Sequence, residues 1–357
     1  MEFFKHIGHH LRPRHLLLFL LLAGVVLAQH LPSWGDWYAR TLYPFIGSML
    51  SGLSRWIPFC IGDLFVSLSL AWLLLYPLYA HYRLKQGWKR LLKQRVEYLL
   101  WIYAWFYLVW GLNYSQPSLY QRTGIQPASY EEAHFLDFTR RYIDSLNRSY
   151  TPTACPDRKF IRDEVVNGYR AIAAPMGIHA PFHARPRVKT MLFTPLISKV
   201  GVTGSMAPFF CEFTLNGDLR PTQYPATYAH ELAHLQGISS EAEANFYAYQ
   251  VCIRSSSPSL RFSGYLSILP HVLSNARRLL PEETFRQLAG TIRPEVVHLY
   301  EANRTYWQAK YSPTLGSIQD WFYDLYLRGN KIADGRKNYS QVISLLLSWE
   351  SNTPTGD

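Results

Sequence analysis

The sequence predicts a chain of two parts, a membrane anchor of about three transmembrane helices and a mainly α domain of α+β type with a small sheet. Three observations carry this. Long uncharged runs are confined to the first third of the 357 residues. A cluster of basic residues separates two of those runs. From Tyr114 onward the apolar residues recur at helical spacing, with few strand-like stretches.

The apolar runs are roughly Leu16 to Leu31, Pro58 to Ala80 and Val96 to Leu112, the last rich in Trp and Tyr. A helix needs about 20 mostly apolar residues to cross a bilayer, and fewer where aromatic and basic flanks reach the interfaces. The second run clears that length, the third is close to it and the first is short. The first also has the form of a cleavable signal, because Lys5, Arg12 and Arg14 lead into an apolar stretch ending Val26-Leu27-Ala28. An uncleaved anchor is preferred over cleavage, and both leave the following segment outside. Three such runs with alternating loop charge argue against buried core helices of a soluble protein.

Lys and Arg concentrate in cytoplasmic loops. The N-terminus and the 82–95 loop, with Arg83, Lys85, Lys89, Arg90, Lys93 and Arg95, are basic; the 32–57 loop has only Arg40 and Arg55 against Asp36. Residues 1–113 therefore read as a multi-pass inner-membrane anchor with a cytoplasmic basic loop. The aromatic 32–57 loop lies along the outer interface as an amphipathic segment, and residues 114–357 form an extracytoplasmic domain. The net charge of +11 sits largely in the 82–95 cluster, where it reads as a topology signal and not as a nucleic-acid surface. The expected partners are the lipid bilayer and a peptide or protein substrate outside the cytoplasm, with no nucleic acid. Four cysteines without a CxxC spacing exclude a zinc finger, a redox pair and a disulfide scaffold. There is no internal repeat, low-complexity segment or Gly-rich phosphate loop.

In the second part, helices are predicted at about 130–148, 157–175, 224–236, 240–254, 259–279, 281–289, 292–310 and 314–328. Strands are predicted near Val188 to Phe193 and Phe209 to Leu215, the latter followed by the turn Asn216-Gly217-Asp218. The helix at 224–236, with Pro225 in its first turn, contains His230-Glu231-Leu232-Ala233-His234. His-Glu-x-x-His on a helix puts two imidazoles one turn apart on one face, while the Glu points at a water carried by the shared ion. A pair of ordinary histidines on a helix is the alternative, and the residues that follow weigh against it.

A catalytic zinc takes three protein ligands and leaves a position for water. Gly237 suits a left-handed helix end, and Ser239 or Ser240 can cap a second helix starting at Glu241. Such a helix-turn-helix returns Glu241 to the His face, with Asn245 beside it at i+4 and Ala244 and Ala248 small enough for close approach. Glu241 is the expected third ligand, Glu243 the alternative, and Asn245 the amide that orients a liganding imidazole. A third His would fall at Ser240 in the metzincins, which also need a downstream Met, and no Met follows Met206.

The Glu241-Ala242-Glu243-Ala244-Asn245 run after His-Glu-x-x-His resembles the glutamate zincins, especially membrane-embedded M48-type peptidases, with Asn245 where those have Asp and a shorter gap after His234. Over nearly the whole chain the sequence is similar to a bacterial membrane family, domain-of-unknown-function family 3810. That similarity runs through Pro58-Phe59-Cys60-Ile61-Gly62-Asp63, Trp110-Gly111-Leu112-Asn113-Tyr114, the His230 to Phe246 region, and Asp334-Gly335 with Tyr339. It implies a zincin-like domain of glutamate-ligand type binding one Zn2+ through His230, His234 and Glu241.

The expected activity is zinc-dependent peptide hydrolysis with Glu231 as general base. Its substrate would lie along the strand Phe209 to Leu215, on which Glu212 is expected to be a solvated charge. Tyr339 and His271 are candidate transition-state donors. A sensor or transducer, and a scaffold keeping zinc for stability, are the competing readings. The first lacks an output domain beyond a short basic loop, and the second has no use for Glu231.

Overall fold

The computed structural model describes residues 12–129, 131–152, 156–329 and 341–352. The chain divides into two compact units, Met1–Gln116 with Ala207–Glu212, and Pro117–Met206 with Phe213–Asp357.

The first unit contains α1 (Pro13–His30), α2 (Pro32–Trp37), α3 (Tyr43–Ser54), α4 (Ile61–Tyr82) and α5 (Trp88–Val109). Proline stands in the first turn of α1, α2 and α3, where its missing N–H has no helical partner to lose. α1 and α5 run in the same direction. Arg14 near the start of α1 pairs with Glu97 at 2.9 Å, and just beyond its end Tyr38 donates to the Leu108 carbonyl at 3.0 Å. α4 runs the opposite way along α5, with Phe106 and Phe65 both against Phe209, Ser69 on Tyr98 at 2.7 Å, and His81 against Trp88.

Among the described residues two helices, not the three expected, are long and apolar enough to cross a membrane: Pro13–His30 and Ile61–Tyr82. Only 17% of each apolar window is buried, which separates them from core helices of a soluble domain. The third run is shorter than its helix. Lys89, Arg90, Lys93, Arg95 and Glu97 all lie in the first half of α5, so the apolar part is about 12 residues or roughly 18 Å. For the same reason the basic loop expected at 82–95 is a loop only over 83–87; from Trp88 its charges belong to a helix.

Glu212 corrects a second expectation. It is 3% exposed, not a solvated strand charge. Its Oε2 accepts from the Gly62 N–H at 2.9 Å and faces the Cys60 thiol at 3.6 Å. These are groups at the N-terminus of α4, where unpaired amides and the helix dipole favour a carboxylate. The fit needs glycine at 62, because a Cβ there would stand 2.7 Å from the Ala207 methyl. Glu212→Ala removes a charge-assisted partner from a buried N–H and is expected to destabilise by about 2–3 kcal/mol. Thermal melting of the full chain in detergent checks it; an unchanged midpoint would refute this role.

In the second unit the helices are α6 (Leu119–Thr123), α7 (Glu132–Ser149), α8 (Arg158–Ile172), α9 (Thr194–Ile197), α10 (Tyr224–Leu235), α11 (Glu241–Ile253), α12 (Pro258–Leu279), α13 (Glu282–Gly290), α14 (Pro294–Lys310), α15 (Pro313–Gly329) and α16 (Gln341–Asn352). Each helix expected between 130 and 328 is present within a few residues. The sheet has three strands, β1 (Val188–Thr190), β2 (Gly204–Ala207) and β3 (Glu212–Leu215), in the order β1-β3-β2. β1 is parallel to β3, with Val188 beside Phe213 and Thr190 beside Leu215. β2 runs against β3, as the bonds from Asn216 N to Thr203 O and from Thr214 Oγ1 to Ser205 O show. All four residues of β3 are buried, and Phe213 meets Tyr228 of α10 edge to face. α11 packs between α10 and α12, lined by Ala229, Ala233, Ala244 and Ala248, all buried.

Candidate metal centre

α10 is set by Pro225 in its first turn and by the Ser263 hydroxyl, which accepts from the Ala226 N–H at 3.1 Å. It ends at Gly237, whose φ of 95° is left-handed and forbids a side chain without strain. Ser240 then caps α11, its hydroxyl accepting from Glu243 N at 3.4 Å. This turn brings Glu241 back onto the His face.

The ligand atoms of His230, His234 and Glu241 all lie within 4.8 Å of one another, the one such grouping among the described residues. His230 Nε2 and His234 Nε2 are 3.1 Å apart, and Glu241 Oε2 lies 3.2 Å and 3.6 Å from them. The other ring nitrogens are engaged. His234 Nδ1 donates to the Ile238 carbonyl at 2.6 Å, and His230 Nδ1 meets Asn245 Oδ1 at 2.9 Å. With Nδ1 protonated, a neutral imidazole aims the Nε2 lone pair inward, so two lone pairs and a carboxylate converge. A positive charge shared among the three groups, a metal ion or a proton, stabilises that arrangement. Bonds of about 2.0–2.1 Å at tetrahedral angles set ligand atoms about 3.3 Å apart, which these separations match. The donor set therefore fits one zinc ion.

Burial disfavours the His234 cation, yet the Glu241 carboxylate, with Glu231 and the Ile238 carbonyl, pushes its pKa up to about 9. Glu241 resists burial through the two imidazoles and is held well below the usual carboxylate range. Glu231 is 4% exposed. Burial raises its pKa, opposed by the two histidines and reinforced by Glu241. Its Oε2 has no hydrogen-bond partner among the described residues, so a buried acceptor stands free beside the three ligands.

Glu243 is placed elsewhere. Its Oε1 accepts from the Leu119 N–H at 2.9 Å and its Oε2 from Arg122, whose guanidinium also bonds Tyr247 Oη at 3.0 Å. Glu241→Ala is expected to remove stoichiometric zinc. Glu243→Ala is expected to keep zinc but lower stability by about 3–5 kcal/mol, because it strands a buried Arg122. Metal content and melting of both variants check this, and the reverse order of zinc loss would reassign the ligand. Asn245→Ala is expected to cost about 10-fold to 100-fold in zinc affinity, read by chelator competition; wild-type affinity would make Asn245 an ordinary helix residue.

His271 is half-buried on α12. Burial, and then the proximity of His230, lowers its pKa. Tyr339 lies outside the described residues. The strand expected to guide a substrate, Phe209 to Leu215, does not serve. β3 is paired on both sides, and Phe209 and Phe210 form a 3-10 turn. β1 and β2 are the edge strands among the described residues, and β2 passes against the candidate base: a Cβ on Gly204 would stand 2.4 Å from Glu231 Oε1. Sequence reasoning missed Gly204, whose only signal was a glycine between Thr203 and Ser205.

Residues 38–347 match the family described as "Protein of unknown function (DUF3810)". That span is most of the chain, which therefore belongs to this family. No curated protein and no solved structure matches it.

Proposed function

We propose that this DUF3810 member is a membrane-anchored zinc metallopeptidase, of zincin-like glutamate-ligand type, acting outside the cytoplasm. The observation that carries the reading is the convergence of His230, His234 and Glu241 with the buried Glu231 carboxylate, whose Oε2 has no hydrogen-bond partner among the described residues. His230, His234 and Glu241 would hold the ion. A bound zinc supplies a Lewis acid that acidifies water and polarises a peptide carbonyl. Glu231 takes the proton from the attacking water and delivers it to the leaving amine, and its raised basicity suits that task. β2 offers its free edge to an extended peptide, holding the scissile bond near Glu231. His271 is the described candidate for a donor to the developing oxyanion. A zinc scaffold or a sensor has no need of a buried free carboxylate at this position, which favours catalysis.

The test is turnover of a peptide library by the full chain in detergent, with and without chelator. Cleavage that stops on chelation and returns with zinc supports the reading; chelator-resistant cleavage, or none by zinc-loaded protein, rejects it.

The outside location is part of the same proposal and needs α5 to cross the membrane beside α1. Its support is the parallel course of those two helices in the first unit.

A further inference from the structure

A cavity of about 430 Å³ in the second unit lies among the N-terminal turn of α8, the strand β1, the turn after β3 and the first turns of α10. Arg158, Lys159, Arg162, Arg187 and Lys189 all line it, with Asp157 the one acidic residue of the lining. Asp157 is engaged as the cap of α8, accepting from Lys159 N at 3.2 Å, and Asp163 pairs with Arg162 at 2.8 Å. The lining thus brings five basic side chains and one acidic one to a single concavity. Gathering like charges costs free energy that an anionic occupant returns. The cationic wall is also fixed in place, since Arg158 lies over the Tyr224 ring, 5.1 Å from its centroid, and Lys189 on β1 is 4% exposed.

A second observation points to a ligand independently of charge. Tyr228 lines the same cavity and is fully buried, and its hydroxyl has no hydrogen-bond partner among the described residues. Packing on Phe213 explains the ring but not the hydroxyl, since Phe would fill that place as well. The charges of Arg162 and Asp163 both act on this hydroxyl, which sets it toward the α8 side of the cavity. Guanidinium, ammonium and phenol groups are donors, and together they suit an oxyanion with several acceptor oxygens. Several basic groups with a phenol suit the dense oxygens of a phosphate monoester or pyrophosphate better than a single carboxylate. The volume leaves room for an organic remainder, within the ordinary size of a small-molecule pocket. Tyr228 and His230 are two residues apart on α10, about 200° around the helix, so this cavity and the metal site occupy different faces.

We propose that this cavity binds a phosphate ester, either a soluble one or the headgroup of an anionic phospholipid. The test uses the full chain in neutral micelles at low salt, treated with chelator so that phosphate cannot score through a metal. One arm titrates glycerol 3-phosphate and pyrophosphate by calorimetry. The other dopes the micelles with phosphatidic acid, a phosphate monoester, or with phosphatidylcholine and follows the melting midpoint. Saturable binding of one probe per chain, weakening as salt rises, is expected in at least one arm, and the responding arm identifies the source. The double variant Lys159→Ala/Arg187→Ala removes two exposed charges without touching the core and is expected to bind at least about tenfold more weakly, as is Tyr228→Phe. Glu241→Ala is expected to bind as wild type does. Absence of saturable binding in both arms, or wild-type affinity in the double variant, overturns the proposal.

Discussion

His230→Ala and His234→Ala are each expected to leave the full chain without bound zinc after dialysis, whereas Glu231→Gln is expected to keep about one zinc per chain and to lose hydrolysis by about 10²–10⁴-fold. The two histidines supply inward lone pairs whose direction is fixed by the bonds from His234 Nδ1 to Ile238 O and between His230 Nδ1 and Asn245 Oδ1. Removing either ring leaves two protein ligands, too few for a closed tetrahedral set. Glu231 is different. It stands beside the ligand group with a buried oxygen that meets no donor among the described residues, so Gln keeps the shape and removes only the basicity. Elemental analysis together with peptide turnover separates the roles. Zinc lost from Glu231→Gln would make that carboxylate a ligand, and undiminished hydrolysis by Glu231→Gln would remove it from the chemistry. Melting curves of the His variants guard against simple unfolding, since both rings are largely buried, with side-chain exposures of 16% and 9%.

Much of the second unit was legible because its helices are amphipathic and bounded by residues with specific backbone roles. Gly237 at the left-handed end of α10 and Ser240 at the cap of α11 are enough to predict a tight helix-turn-helix. From that turn it follows that Glu241, His230 and His234 share a face. Other features were not legible because their cause lies far along the chain. Glu212 looks like any strand carboxylate until Gly62, 150 residues earlier, brings an amide to it. Glu243 is decided by Arg122, which no local pattern connects to α11. β2 was missed because Gly204-Ser205-Met206-Ala207 has no β-branched residue and no alternation. Its place beside Glu231 depends on the missing side chain of Gly204. The third apolar run was overestimated because aromatic residues near Val109 hid how far the charges of α5 extend.

That shortfall in α5 makes membrane topology the most consequential test. A reporter active only outside the cytoplasm is expected to give signal when fused after Asp357, and at least about tenfold less when fused within the 83–87 loop, where the flanking Lys and Arg hold the chain inside. With only α1 and α5's neighbour α4 crossing, both fusions would be cytoplasmic and silent; the outside signal requires α5 to cross as well. Composition alone argues against it, but packing within the first unit argues for it. Glu97 is level with Arg14 at the start of α1, Leu108 is level with Tyr38 beyond its end, and Ser115 touches Gly35. A helix that keeps pace with α1 from one end to the other crosses whatever α1 crosses. The Arg14–Glu97 pair and the basic turns at Lys89 to Arg95 then lie at or beyond the inner interface, where long cationic side chains reach the headgroups. The whole of α5, 22 residues, is about 33 Å long, close to the roughly 30 Å hydrocarbon thickness. Silence of the Asp357 fusion would show that α5 stays on the inner side, and the candidate substrate would move with it into the cytoplasm.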